Sequence, residues 1–223
     1  MAVMDRDGPA ATINPMIDRW AIARLRPGLE AGARKLVQGG VGADTVTWTG
    51  FAIGLAAAVC IARQAFIAGL ALLLISRLLD GLDGAVARLT QPTDRGAFLD
   101  ISLDFLFYAS IPLAFAWADP ERNALAAATL LAAFVGTGST FLAFAVLAER
   151  RGLSSAAYPN KGLYYLGGLT EATETLLAFA AMCLWPRAFP IIAAGFAGLC
   201  VLTVLTRLWA GWQLLAAPDS SSR

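Results

Sequence analysis

Six apolar stretches restrict this chain to helices in a bilayer. They run over roughly residues 44–62, 67–89, 97–118, 123–148, 163–185 and 189–214, each near or above the ~20 residues that a hydrocarbon core demands of a helix. The runs are continuous rather than alternating, which argues against membrane strands. The breaks between them carry turn chemistry: Gln91-Pro92-Thr93-Asp94, Asp119-Pro120, Tyr158-Pro159-Asn160 and Trp185-Pro186. The predicted fold class is all-α, a polytopic membrane protein with six transmembrane helices. A hydrophobic share of 58% and a mean hydropathy of +0.64 agree with that class.

Residues 14–38, ahead of the first span, read as interfacial. Ile17, Trp20, Ala21 and Leu25 share one helix face, with Arg19, Arg24 and Arg26 on others. After Pro27 a second piece groups Leu29, Ala33, Leu36 and Val37. Basic amphipathic helices of this kind lie along a membrane surface. The N-terminal segment lacks the continuous apolar core of a signal peptide. The expected organisation is a cytoplasmic or interfacial segment over 1–40, a six-helix membrane domain over 41–216 and a cytoplasmic tail over 217–223. Of the 17 Lys and Arg residues, only Arg63, Arg122 and Arg187 fall in loops on the far side, and Arg77 lies within a span. Positive residues concentrate on the cytoplasmic side, so both termini are expected there, in a bacterial-type inner membrane or its equivalent. Trp117 and Trp185 then mark the outer interface, and Trp209 and Trp212 the inner one.

Against this apolar background, Asp80, Asp83, Asp100 and Asp104 stand out. A carboxylate at the bilayer centre costs about 2.5–3.5 kcal/mol on the lenient insertion scale, so four in one hairpin point to a polar site. Asp80 and Asp83 are three apart and share a helix face; Asp100 and Asp104 are four apart and do likewise. Folding the two spans about a turn near Pro92 brings Asp83 level with Asp100 and Asp80 level with Asp104. All four converge at a shallow depth, on the cytoplasmic side. Carboxylates this close do not all stay ionised without cations, and oxygen-only ligands suit Mg²⁺ or Mn²⁺ rather than zinc. Two ions sharing one acid are expected. Arg88 sits one to two turns nearer the cytoplasm, suited to a phosphate, and Gly81, Gly84 and Gly96 remove side-chain bulk. Together these residues read as phosphoryl transfer on a nucleotide-activated substrate.

Composition excludes several other chemistries. The chain contains no His, which removes Ser-His-Asp and Cys-His catalysis and any His base. Cys60, Cys183 and Cys200 are isolated in apolar runs and read as small buried hydrophobes. A net charge of +1 gives no field for nucleic acid. An ion- or proton-coupled transporter dependent on carboxylates is the alternative class. It is disfavoured because the acids cluster in one hairpin near one face, with no second cluster forming a path.

The string Asp80-x-x-Asp83-Gly84-x-x-Ala87-Arg88…Gly96-x-x-x-Asp100-x-x-x-Asp104 resembles the signature of the CDP-alcohol phosphatidyltransferase family. The six-span layout and preceding interfacial helix are similar as well. One departure is a turn of seven residues between Arg88 and Gly96 where the family usually has eight. The resemblance implies transfer of a phosphatidyl or other substituted phosphate group from a CDP-linked lipid or alcohol to an acceptor hydroxyl, with release of CMP. It implies that Asp80, Asp83 and Asp100 bind one metal ion. Asp100 and Asp104 would bind a second, or Asp104 would act mainly as the base that deprotonates the acceptor. Gly84, Ala87 and Arg88 would contact the CDP moiety, with Gly96 making room for it. Thr47 stands in Asp44-Thr-Val-Thr47-Trp-Thr-Gly50, which is similar to the family's Pro-Asn-x-x-Thr segment, with Ala43-Asp44 in place of Pro-Asn. Thr47 is thus a nucleotide contact, or else Asp44 or Thr45 simply caps the helix.

For the acceptor, two groups of residues stand out. Arg150, Arg151 and Lys161 flank a cytoplasmic loop and suit a phosphate, though ordinary positive-inside charge explains them equally well. Glu171 and Glu174 lie inside an apolar run, where acids are functional candidates by default; pairing with Arg207 is the structural alternative. Arg77, one turn before Asp80, is expected to pair with Asp80 or Asp104. The expected partners are CDP-diacylglycerol or a similar donor, an alcohol acceptor, membrane lipids and a second copy of the chain. Small-residue runs such as Ala126 to Ala128 would allow close helix contact in a homodimer.

Overall fold

Short polar turns cut the apolar chain into helices, and capping chemistry fixes where each begins. In this computed structural model, residues 16–151, 170 and 172–216 are described. They form α1 (Met16–Gln38), α2 (Ala43–Ala62), α3 (Phe66–Leu89), α4 (Asp94–Ala118), α5 (Pro120–Arg150), α6 (Ala172–Leu184) and α7 (Phe189–Ala216), with a 3₁₀ turn at Pro186–Ala188. No strand occurs among the described residues.

Helix α4 starts at Asp94, three residues before the apolar run, because Thr93 caps it. The Thr93 Oγ1 accepts from the Gly96 N–H at 3.1 Å. Asp119 does the same for α5, accepting from the Arg122 N–H at 3.3 Å, with Pro120 in the first turn where its missing N–H does no harm. At α2 the cap position is Gly42, with no side-chain bond, so neither Asp44 nor Thr45 serves as the cap.

Among the described residues, four segments are long and apolar enough to cross a membrane: α2, α4, α5 and the stretch Pro186–Ala216 that contains α7. Helix α3 has 24 residues, but Arg77, Asp80, Asp83 and Arg88 load it with charge. The expected span 163–185 coincides with a described helix only over the 13 residues of α6; its first part lies outside the described residues. Gln64 Nε2 donates to the Ala118 carbonyl at 2.8 Å, and Arg122 Nη2 to the Arg187 carbonyl at 2.6 Å. These bonds gather the turns bearing Arg63, Arg122 and Arg187 at one end of the bundle.

Helix α1 runs unbroken through Pro27 instead of dividing there. A proline removes one backbone bond, and the turns that follow are held by packing. Leu29, Ala33, Leu36 and Val37 lie against Leu82, Ala85 and Val86 of α3. Glycine makes this approach close: a Cβ on Gly32 would come 3.2 Å from Leu82, and one on Gly81 3.2 Å from Leu29. The apolar face after Pro27 is therefore covered by α3, directly behind the aspartates.

The main core joins Leu73, Phe107, Ile111, Phe115, Leu130, Phe179, Met182 and Phe189. Phe115 and Phe189 stack with centroids 4.5 Å apart. Cys183 and Cys200 are buried here as reduced thiols, and Cys60 is partly buried. Helices α3 and α4 each pack on α2 rather than closely on each other, which leaves a cleft between them. Gly50 and Gly54 make this possible. A Cβ on Gly50 would come 3.2 Å from Leu79 Cβ, and one on Gly54 would come 2.6 Å from Phe107 and 2.9 Å from Ser76 Oγ. Ser76 Oγ, fully buried, donates to the Gly50 carbonyl at 2.7 Å. Gly54→Val is expected to destabilise the fold by about 1–3 kcal/mol through overpacking, read as a lower melting temperature in detergent. An unchanged melting temperature would contradict the close packing of α2 on α3 and α4.

Candidate active site

All four aspartates line one cleft, whose back wall is α2. Asp80 and Asp83 come from α3 and Asp100 and Asp104 from α4, with Thr47, Gly50, Phe51, Arg77 and Leu103 completing the lining. The pairing predicted by counting from the turn is present. One ligand oxygen each from Asp80, Asp83 and Asp100 lies within 4.8 Å of the others. Asp80 and Asp104 are joined by a single nitrogen: Arg77 Nη1 donates to Asp104 Oδ1 at 2.7 Å and to Asp80 Oδ1 at 3.2 Å. The expected ion pair of Arg77 is thus made with both acids.

The three clustered carboxylates suit a hard divalent cation. Asp83 is only 5% exposed, and its Oδ2 is buried without a hydrogen-bond partner. A buried, unsatisfied carboxylate oxygen carries a heavy desolvation penalty, which coordination would remove. An all-oxygen donor set matches Mg²⁺ or Mn²⁺. Asp104 lines the same cleft but is not among the three clustered acids; its Oδ1 is held by Arg77.

Arg77 is itself firmly placed. Its side chain is 12% exposed, and the guanidinium lies over the Phe107 ring, 3.9 Å from the centroid. A cation held over an aromatic face gains about 0.5–2 kcal/mol. Gly54 leaves the space that Phe107 fills, so the α2 glycine indirectly sets the floor beneath Arg77.

The rim lies towards the α3–α4 turn. A Cβ on Gly84 would come 3.3 Å from Arg88 Nη1, so this glycine gives the Arg88 guanidinium room to fold back. Arg88 is exposed and Ala87 half-buried. Thr47 Oγ1 donates to the Ala43 carbonyl at 3.0 Å while its residue lines the cleft. Gly96 lies in the first turn of α4, under the carboxylate of Asp44, which pairs with Arg95.

The acceptor candidates among the described residues do not line this cleft. Arg150 is exposed in the last turn of α5, Arg151 follows as its C-cap, and Glu174 is partly buried in the first turn of α6. None of the three lines the aspartate cleft. Lys161 and Glu171 lie outside the described residues. Arg207 is 8% exposed and donates to the Thr137 carbonyl at 3.1 Å. Sequence reasoning did not identify Gly50, Phe51 and Leu103 as cleft walls, nor Phe107 beneath Arg77. The Gly50-x-x-x-Gly54 spacing was the available signal, since small residues four apart mark close helix contact in membranes.

The family model described as CDP-alcohol phosphatidyltransferase matches residues 41–213. The chain belongs to that family. As a CDP-alcohol phosphatidyltransferase family member it is a membrane transferase of phospholipid biosynthesis. It is 50% identical over 200 residues to the inner membrane protein YnjF of Escherichia coli (strain K12), across 90% of this chain and 97% of the relative. A 65-residue stretch is 49% identical to archaetidylinositol phosphate synthase of Methanothermobacter thermautotrophicus, covering 29% of this chain and 33% of that one. Among solved structures, phosphatidylinositol phosphate synthase (PgsA1) of Mycobacterium tuberculosis with CDP-DAG bound is similar. It is 25% identical, with a TM-score of 0.63 over 87% of this chain and 97% of its own. The same synthase in complex with manganese and citrate matches with equal identity and TM-score over 87% and 92%. The family's use of divalent metals agrees with the three-aspartate cluster.

Proposed function

We propose that this phosphatidyltransferase moves a substituted phosphate group from CDP-diacylglycerol, or a similar CDP-alcohol, to an acceptor hydroxyl and releases CMP, with Mg²⁺ or Mn²⁺ as cofactor. The observation that carries the proposal is the convergence of Asp80, Asp83 and Asp100 within 4.8 Å, with a buried Asp83 oxygen left unsatisfied. Asp80, Asp83 and Asp100 would hold one ion, and Asp100 with Asp104 would hold a second. When bound, the ions neutralise the charge of the donor's diphosphate and keep the four acids together. Asp104 accepts the proton of the acceptor hydroxyl. The freed oxygen forms a bond to the donor's β-phosphorus, the bond from that phosphorus to the CMP oxygen breaks, and CMP leaves with the electron pair. Arg77 orients Asp104 through Oδ1, so the proton goes to Oδ2. Arg88 binds the diphosphate beside Gly84 and Ala87, with Gly96 leaving room and Thr47 near the nucleotide.

The acceptor is recognised by Arg150, Arg151, Lys161, Glu171 and Glu174 at the membrane's inner face. The domain over 41–216 spans six times, counting α3 and the α6 region, after an interfacial N-terminal segment over 1–40 and before a tail over 217–223. Both termini and the cleft face the cytoplasm, and the protein works among membrane lipids as a homodimer. The one-ended clustering of the cleft acids weighs against a transporter, which needs a polar path across the bilayer.

The test supplies purified protein with labelled CDP-diacylglycerol, Mg²⁺ or Mn²⁺ and a panel of acceptors: glycerol 3-phosphate, inositol phosphate, serine, amino alcohols and phospholipids. CMP release with at least one acceptor is expected; none with any acceptor overturns the proposal. On the productive acceptor, Glu174→Gln is expected to raise the Michaelis constant about ten- to a hundredfold, the size of one lost charge-assisted hydrogen bond. An unchanged Michaelis constant and rate remove Glu174 from the acceptor site.

A further inference from the structure

We infer that Arg95 is a donor-binding residue and that Asp44 occupies its place until the donor arrives. This inference rests on the CDP-alcohol reading of the cleft and names a residue pair that the family signature does not contain. Asp44 lies in the first turn of α2 and Arg95 in the first turn of α4, 51 positions apart, yet their side chains form an ion pair. The pair bridges the two helices that carry Thr47 and Asp100, at the rim of the cleft. Both places where the chain leaves the family pattern meet here. Asp44 stands where the pattern has Asn, and Arg95 ends the shortened turn between Arg88 and Gly96.

The position of the Asp44 carboxylate is the decisive observation. A Cβ on Gly96 would come 3.4 Å from Asp44 Oδ1 and 3.2 Å from Thr93 Oγ1. The space above Gly96, which the donor is expected to enter, is therefore faced by an anion that already pairs with the neighbouring Arg95. A diphosphate entering that space has the same sign as Asp44 and the same attraction to Arg95. The two anions compete for one guanidinium. The competition is easily settled because the pair is exposed: the Arg95 side chain is 84% accessible and that of Asp44 31%. Ion pairs in such positions are weak, whereas a guanidinium meets a phosphate in a two-pronged geometry. Arg88 and Arg95 bracket the α3–α4 turn, so the exchange places a cation on each side of the entering diphosphate. Before that exchange, Asp44 keeps the Arg95 side chain at the mouth instead of letting it range through solvent.

A pure clamp between α2 and α4 makes a different prediction, and the signs of two substitutions separate them. CDP binding is measured by calorimetry in the presence of Mg²⁺, on full-length protein in detergent, with melting temperature as a check on folding. Arg95→Ala is expected to weaken CDP binding about fivefold and Asp44→Asn to strengthen it about threefold, the range of exposed charge pairs. Arg95→Lys should recover most of the lost affinity, and the double variant should bind like Arg95→Ala. If both single substitutions weaken CDP binding alike, the pair is only a clamp and the inference fails. It also fails if neither changes binding. If the wild type does not bind CDP at all, the donor reading of the cleft fails with it, an outcome distinct from the other two.

Discussion

Asp104→Asn is expected to lower CMP release by about 100- to 10,000-fold, the contribution of a general base. The substitution keeps the shape and an oxygen able to accept from Arg77, which now donates to Asp104 Oδ1 at 2.7 Å. What it removes is the capacity to take up a proton. No His is available to replace that function anywhere in the chain. Asp80, Asp83 and Asp100 remain clustered, so binding of the first Mn²⁺ should persist, with only the ion shared by Asp104 weakened, while turnover collapses. The measurement pairs CMP release with Mn²⁺ binding on the same preparation. A variant that keeps its full rate would show that the acceptor proton goes elsewhere.

Arg77→Leu is expected to destabilise the protein by about 1–3 kcal/mol, less than the loss of one partner from a fully buried ion pair, because each acid is about a third exposed. One Arg77 nitrogen serves both Asp80 and Asp104, and the side chain is only 12% exposed over Phe107. Without it, two acids facing each other across the cleft lose their shared counter-charge, and the floor over Phe107 loses its cation. The melting temperature in detergent should drop, and CMP release should fall as Asp104 loses its orientation. Arg77→Lys keeps the charge and should recover stability more than activity, because a point charge cannot reproduce the fixed fork of the guanidinium. Adding Asp104→Asn to Arg77→Leu should recover part of the lost stability, since the double change removes the charge left stranded. A melting temperature unchanged by Arg77→Leu would show that the two acids do not depend on it.

The aspartate cleft was legible in the sequence because helices have a fixed rise. Counting from the Pro92 turn places Asp83 with Asp100 and Asp80 with Asp104, and the structure joins the first pair in the three-acid cluster and the second through Arg77. Cap signals were partly legible. Asp119-Pro120 opens α5 as its chemistry predicts, and Thr93, already part of a turn signal, proves to cap α4. Hydropathy alone put the start of α4 three residues late, because apolar content does not register a cap.

Contacts between distant segments were less legible. Nothing in the local pattern says that residues 29–37 would lay their apolar face on α3 instead of lipid, since an amphipathic stripe looks the same for either neighbour. The back wall was hidden for a similar reason. Gly50 and Gly54 permit close approach, but only the fold shows that Ser76 and Phe107 take up the space. The pairing of Asp44 with Arg95 is another long-range outcome, and it turns two isolated departures from the family pattern into one feature. Acceptor selection is the least legible part. Arg150, Arg151 and Glu174 do not line the aspartate cleft, and Lys161 and Glu171 lie outside the described residues.

The aspartate cluster as a metal-dependent site for CMP release is tested most directly by removing the metal and restoring it. Protein stripped with EDTA should release no CMP from CDP-diacylglycerol in the presence of its acceptor, and added Mg²⁺ or Mn²⁺ should restore the rate. Asp83→Asn, which neutralises the acid whose Oδ2 is buried and unsatisfied, should fail to recover at metal concentrations that saturate the wild type. CMP release that continues in the stripped wild type, or that Asp83→Asn supports at the wild-type rate and metal requirement, would contradict a metal site at these aspartates.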